Sequence, residues 1–96
     1  MTLITTSVLQ AIAVGHRHGF EIADVVASAT GTVYPALRRL ESAGYVRSAW
    51  EAEAIAIKNA RPQRRYYEIT PAGERALSSA VSTLRTLGAL HPKVVR

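Results

Sequence analysis

Between Thr5 and about Val14, apolar residues recur at helical spacing at Val8, Leu9, Ile12 and Ala13, with hydroxyl residues ahead of them as N-cap candidates. The pattern predicts a first helix that ends in the region of Gly15 to Gly19. The next stretch, "FEIADVVASA", places Phe20, Ile22, Val25 and Val26 close to one side. It is too short to stand alone and must pack on its neighbours. A third helix is drawn with Thr30 near its N-cap. Around Val33, the residues Ala36, Leu37 and Leu40 cluster on one side, while Pro35, Arg38 and Ser42 point the other way and Tyr34 and Arg39 flank them. Pro35 falls near the fifth helical position, where its missing N–H removes one bond to the Gly31 carbonyl, and Gly31 has no Cβ to crowd the ring.

After Gly44, which suits a C-cap, the period changes from helical to alternating. "YVRSAW" places Val46, Ser48 and Trp50 on one face, and "RRYYEIT" places Tyr67 and Ile69 on one face with Tyr66 and Glu68 on the other. Two strands joined by a long basic connection predict a hairpin, or wing. Residues 51–60 between them are the least patterned: "AIAI" is compatible with an extension of the first strand or with a helical stub, and the stretch is assigned to the hairpin loop. Thr70 and Pro71 then open a last helix as hydroxyl N-cap and N1 proline. Its apolar stripe, Leu77, Ala80, Val81, Leu84 and Gly88, widened by Leu87 and Leu90, follows the core elements. Such a face is expected to serve a second subunit, together with the first helix, through Leu77, Val81, Leu84, Leu87 and Gly88. His91 and Pro92 end it, leaving a short basic tail.

The predicted fold class is mainly α with a two-stranded β wing. A winged helix-turn-helix spans residues 1–70, and a dimerisation helix with its tail spans 71–96, in one compact unit. In that geometry the third helix lies in the major groove of DNA, and the wing tracks the backbone or the minor groove. Arg38 suits a bidentate contact to guanine, and the Pro35 ring or the Thr32 methyl suits a thymine methyl. Tyr34 and Arg39, on the flanks, suit phosphates. In the wing, Lys58, Arg61, Arg64 and Arg65 fall within eight residues that hold no acid, and they form the backbone-contacting set together with Gln63.

Charge agrees with this placement. The chain carries +5, but residues 1–30 sum to −1, residues 31–70 to +3 and residues 71–96 to +3. Its 96 residues suffice for one domain, and a chain of this size buries only roughly two-thirds of its unfolded surface, so a monomer would be marginal. There is no cysteine, hence no disulfide framework or thiolate metal site, which fits a reducing, cytoplasmic location. The first apolar run lacks a charged leading segment and is broken by Gln10, so neither a signal peptide nor a membrane partner is expected.

No enzyme is expected. Ser78, Ser79 and Ser82 have no His and Asp partners in view, and no glycine-rich phosphate loop occurs. His16 and His18, two apart and remote from His91, do not make a metal site, and no cofactor is implied. Tyr66 and Tyr67 are read as packing at the wing base, and Trp50 as core or interface rather than a ligand platform. The rival class is a winged-helix module that binds protein rather than specific DNA.

Four segments, "HGFEI", "GTVYPALRRLESAGYV", "RPQRRYYEIT" and "PAG", stand in an order and spacing that resemble the PadR-like transcriptional regulators over roughly residues 5–90. The resemblance implies a homodimeric repressor that binds double-stranded DNA, with release by a small-molecule effector often part of the family's behaviour. By motif position it places Thr32, Tyr34, Pro35 and Arg38 in the recognition helix and Arg61, Arg64 and Arg65 in the wing. Two departures stand out. Asn59 and Ala60 replace the glycine pair that commonly precedes Arg-Pro, and the short last helix contains no aromatic residue on which a planar ligand could stack.

Overall fold

A computed structural model describes residues 1–90, with side-chain surroundings given to Leu87. Seven elements follow one another: α1 (Leu3–Ala13), α2 (Gly19–Val25), α3 (Thr30–Ser42), β1 (Val46–Trp50), α4 (Glu53–Lys58), β2 (Arg65–Ile69) and α5 (Pro71–Leu90). The expected end of α5 at His91 and Pro92 lies outside the described residues, as does the environment of Gly88.

The first helix begins earlier than its periodicity suggests, because Thr2 is its cap: the Thr2 hydroxyl accepts from the Thr5 N–H at 3.2 Å. Its apolar face meets α2 and α3 in a core whose fully buried members include Val8, Leu9, Ile22, Val33, Leu37 and Leu40. That set reproduces the predicted inner face of α3 and, except for the exposed Ala13, that of α1; the predicted side of α2 is corrected, since Ile22 is buried and Val26 half-buried while Phe20 and Val25 are exposed, residues two before and three after Ile22 not sharing its inward direction in so short a helix. The α3 helix starts at Thr30 with Ala29 as its cap and no side-chain bond there, so Pro35 is its sixth residue. The glycine rationale is corrected: a Cβ on Gly31 would meet nothing within 4 Å, so Gly31 is not required to clear the proline.

All four of the shorter helices close in the same way. The N–H two residues past each cap returns to a carbonyl five residues back: His16 to Ala11 at 3.0 Å, Ser28 to Ala23 at 3.1 Å, Tyr45 to Leu40 at 2.9 Å and Arg61 to Ala56 at 3.1 Å. The turn residue has positive φ in every case. It is glycine at Gly15 and Gly44, but alanine at Ala27 (φ 53°) and Ala60 (φ 52°).

The wing pairs antiparallel in the expected faces, with Val46 opposite Ile69, Ser48 opposite Tyr67 and Trp50 opposite Arg65. A third short partner was not foreseen. His18 bridges to Tyr66, and the Tyr67 N–H donates to the Arg17 carbonyl at 2.8 Å, so the segment between α1 and α2 lies along β2. The wing connection is also corrected. Residues 53–58 form α4 rather than open loop, since Ala56 is buried and Ala60 adopts the left-handed turn that stops the helix.

Thr70 joins the two ends of this frame. Its hydroxyl donates to the Gly44 carbonyl at 2.6 Å and accepts from the Gly73 N–H at 3.1 Å, and its own N–H donates to the Tyr45 carbonyl at 3.0 Å. The start of α5 is therefore seated on the α3–β1 corner. Leu77, expected at the subunit interface, is buried in the core of its own chain, and Val81 packs against that core. The exposed part of the stripe begins at Leu84. Trp50, read as core or interface, is 61% exposed in this chain. No helix among the described residues is long and apolar enough to cross a membrane.

Candidate nucleic-acid interface

The outward face of α3 carries Thr32, Arg38, Arg39 and Ser42 exposed and Pro35 half-buried, opposite the fully buried Val33, Ala36, Leu37 and Leu40. A helix buried on one side and polar on the other is held rigidly while its outer residues remain available to a partner. Arg38 stands near the middle of this face and makes no ion pair or side-chain hydrogen bond among the described residues. Arg39 differs: one guanidinium nitrogen donates to the Thr5 hydroxyl at 3.2 Å, tying α3 to α1. Tyr34 is half-buried, and its ring lies so close over Gly19 that a Cβ there would stand 2.3 Å from the phenol oxygen. Tyr34 is thus a packing residue at the start of α2 as well as a flank of the outer face.

The five basic and amide residues expected to act together in the wing, Lys58, Arg61, Gln63, Arg64 and Arg65, are held apart in the structure. Arg61 forms a two-pronged pair with Glu51, at 2.6 Å and 2.9 Å, inside the wing. The Gln63 amide donates to the Glu51 carbonyl at 2.8 Å. Arg65 donates to the Ser48 hydroxyl at 2.8 Å, reaches Glu41 at 3.5 Å and lies over the Trp50 ring, 5.4 Å from its centre. Lys58 and Arg64 make no ion pair among the described residues. Lys58 closes α4, and Arg64 lies where the chain re-enters the hairpin, with its carbonyl accepting from the Glu51 N–H at 2.8 Å.

Glu51, which the sequence did not single out, organises this wing. It is 8% exposed and receives the Arg61 guanidinium, the Arg64 N–H at 3.4 Å and the Tyr66 hydroxyl at 3.1 Å. Those donors, the Arg61 bond above all, lower its carboxyl from 4.5 to about 2. The signal available in sequence was an acid directly after the first strand and a basic run before the second. Nearby, burial first and the Arg64 charge second hold the His18 imidazole below its ordinary 6.5. At neutral pH it is uncharged, and it meets Tyr66 edge to face with ring centres 6.0 Å apart.

A buried-core α1–α2–α3 unit with an outward third helix and a two-stranded wing is a winged helix, a DNA-binding fold. The sequence pattern of the "Transcriptional regulator PadR-like family" matches residues 8–79, and the chain belongs to that family. Solved structures agree on the fold. A transcriptional regulator from Clostridium thermocellum is 25% identical, with 97% of this chain and 90% of that one covered and a TM-score of 0.81. A PadR family transcription regulator from Clostridium difficile is 24% identical, with 99% and 100% covered and a TM-score of 0.84. Bacillus subtilis PadR, solved in complex with operator DNA, is 17% identical with a TM-score of 0.70; the match covers 83% of this chain and 48% of that one. No curated protein matches the chain.

Proposed function

We propose that this chain is a repressor that binds an inverted-repeat operator as a homodimer, reading bases through the outward face of α3, and that a small molecule releases it. The observation that carries the reading is Arg38. It is exposed and unpaired among the described residues at the centre of a rigid helix face, whereas Arg61 and Arg65 are engaged within the wing. Arg38 is the base-contacting residue, flanked by Thr32 and Pro35 for apolar contact with thymine. Lys58 and Arg64 supply the phosphate contacts of the wing; Arg61 and Gln63 shape it. The complex of Bacillus subtilis PadR with operator DNA supports the mode of binding by analogy of fold.

Dimerisation is supported by a cleft of about 520 Å³ between the start of α1 and the exposed half of α5, lined by Met1, Leu3, Tyr45, Ala80, Leu84 and Leu87. An apolar surface of this kind on a chain of this size is accounted for by a second subunit. Two α3 helices in the dimer then meet the groove roughly 34 Å apart.

The test is fluorescence anisotropy against DNA from upstream of the protein's own gene and against scrambled DNA, each over a range of salt. A preference of about a thousandfold with a steep negative dependence on log salt is expected. Equal, weak and salt-insensitive binding to both would favour the protein-interaction reading instead.

A further inference from the structure

The carboxylate of Glu41 joins the reading helix to the wing. Glu41 sits near the end of α3, accepts from the Ser48 hydroxyl of β1 at 2.7 Å and lies 3.5 Å from a guanidinium nitrogen of Arg65 on β2. Ser48 closes the circuit, since its oxygen accepts from Arg65 Nε at 2.8 Å. Register brings the three together: Arg65 pairs with Trp50 and Ser48 with Tyr67, so Ser48, Trp50 and Arg65 share the hairpin face turned to α3. Among the described residues, these are the side-chain hydrogen bonds that join α3 to the wing strands.

The circuit decides which arginines are free. Glu41 follows Arg38 by three residues, a spacing at which opposite charges on a helix meet, yet the two form no ion pair, because the carboxylate is turned to the wing. Arg38 thereby keeps its charge for a partner. Arg65 does not: Ser48 takes its Nε, Glu41 takes a terminal nitrogen, and its Cζ lies 5.4 Å from the centre of the Trp50 ring. An isolated pair whose side chains are 39% and 36% exposed would be weak. Here a phosphate must displace three contacts at once to recruit Arg65. Arg64, its neighbour in the chain, makes no ion pair and needs no such exchange.

We propose that Glu41 is a specificity-determining residue of this DNA interface although it reads no base: it keeps Arg65 out of contact with phosphate and fixes the wing against α3. This rests on the reading of α3 and the wing as the DNA surface given above. Phosphate contacts are open to any sequence, so each wing arginine left free raises affinity for all DNA alike and dilutes the preference for one site. A wing held at one distance from α3 brings Lys58 and Arg64 to phosphates in the register in which Arg38 meets its base. The carboxylate thus lowers total affinity and raises discrimination.

The full chain and its variants are titrated by fluorescence anisotropy against scrambled and upstream DNA over a range of salt. On scrambled DNA, Glu41→Gln should steepen the dependence of log affinity on log salt by about 0.9 for each chain bound, as one more phosphate contact does, and tighten binding about fivefold or more at roughly 0.1 M salt. Upstream DNA should gain less, so the preference falls about threefold or more. Glu53→Gln, on α4 and in no ion pair among the described residues, removes the same charge but frees no arginine, and should keep the wild-type salt dependence. In an Arg65→Gln background, Glu41→Gln should add nothing. Without DNA, Glu41→Gln should also shift the indole N–H resonance of Trp50, the single tryptophan, as Arg65 leaves the ring. A wild-type salt dependence in Glu41→Gln, the same steepening in Glu53→Gln or in the Arg65→Gln background, an unshifted Trp50, or an unchanged preference would each overturn the proposal. A wild type that binds both DNAs alike, with the steepening and its need for Arg65 intact, would instead refute the proposed function and leave the hold of Glu41 on Arg65 standing.

Discussion

Replacing Gly73 by alanine should destabilise the protein although it introduces a better helix former into a helix. An ideal Cβ on Gly73 would lie 2.0 Å from the carbonyl oxygen and 2.9 Å from the carbonyl carbon of Tyr45, and 2.8 Å from the Ile69 side chain. Two of those atoms are backbone and cannot rotate away, so the first turn of α5 must retreat by about 1 Å from the α3–β1 corner. Overpacking of this kind costs about 1 to 3 kcal/mol, and the retreat also stretches the bonds that Thr70 makes to Gly44 and Tyr45, worth about 1 kcal/mol each. Against this, alanine gains at most about 1 kcal/mol over glycine in a helix. The net expectation is a loss of about 2 to 3 kcal/mol, or a Tm lower by roughly 8 to 24 °C for a domain this small. Gly31→Ala is the internal control, because a Cβ there meets nothing within 4 Å. It should raise stability by about 0.5 to 1 kcal/mol. The assay is thermal and urea unfolding by circular dichroism at one protein concentration, since association couples to Tm. A Gly73→Ala protein as stable as the parent, or a Gly31→Ala protein destabilised as much, would refute the account of this corner.

Ala27→Gly and Ala60→Gly should each stabilise by about 0.5 kcal/mol, since a left-handed alanine costs roughly 1 kcal/mol and the added chain entropy of glycine returns part of it; urea midpoints check both. Glu51 is depressed in the folded state, so its contribution is complete above the ordinary 4.5 and is lost as pH falls toward about 2. Stability should decline across that window, and Glu51→Gln should make the decline shallower while broadening the Tyr66 and Arg61 NMR signals. In the proposed homodimer Leu84 and Leu87 lie at the seam, so wild type should sediment as a dimer at micromolar concentration and Leu84→Ser with Leu87→Ser as a monomer; a monomeric wild type would refute the dimer. Leu77→Ala should instead cost about 2 to 4 kcal/mol of folding stability, because Leu77 is core.

Where the hydrophobic period was long and regular, the sequence carried the structure. The buried face of α3, that of α1 except Ala13, and the two faces of the wing are those that spacing predicted, because each depends on one residue's distance from the next along a single element, whereas the seven residues of α2 are too few to mark its inner side and Phe20 and Val25 lie exposed. Residues 53–58 were not legible. A six-residue helix has too few turns to show a period, and its stop signal is Ala60 in a conformation that usually marks glycine. The wing arginines were legible as a group but not as individuals. Whether Arg61 or Arg64 is engaged depends on which of them meets Glu51 across the hairpin, a matter of register and side-chain reach that composition does not contain. Leu77 and Leu84 occupy the same stripe of α5, and only the docking of its first turn by Thr70 and Gly73 decides that one is core and the other surface.

Whether α3 reads DNA through Arg38 is decided by the affinity of wild type and Arg38→Ala for DNA from upstream of the gene and for scrambled DNA at one salt concentration. Arg38→Ala should lose about 1 to 3 kcal/mol on the operator, relax preference at one base pair of each half-site, and change little on scrambled DNA. Arg64→Ala should weaken both by similar factors. Operator affinity unchanged in Arg38→Ala, or lowered equally on both DNAs, would contradict base reading through Arg38.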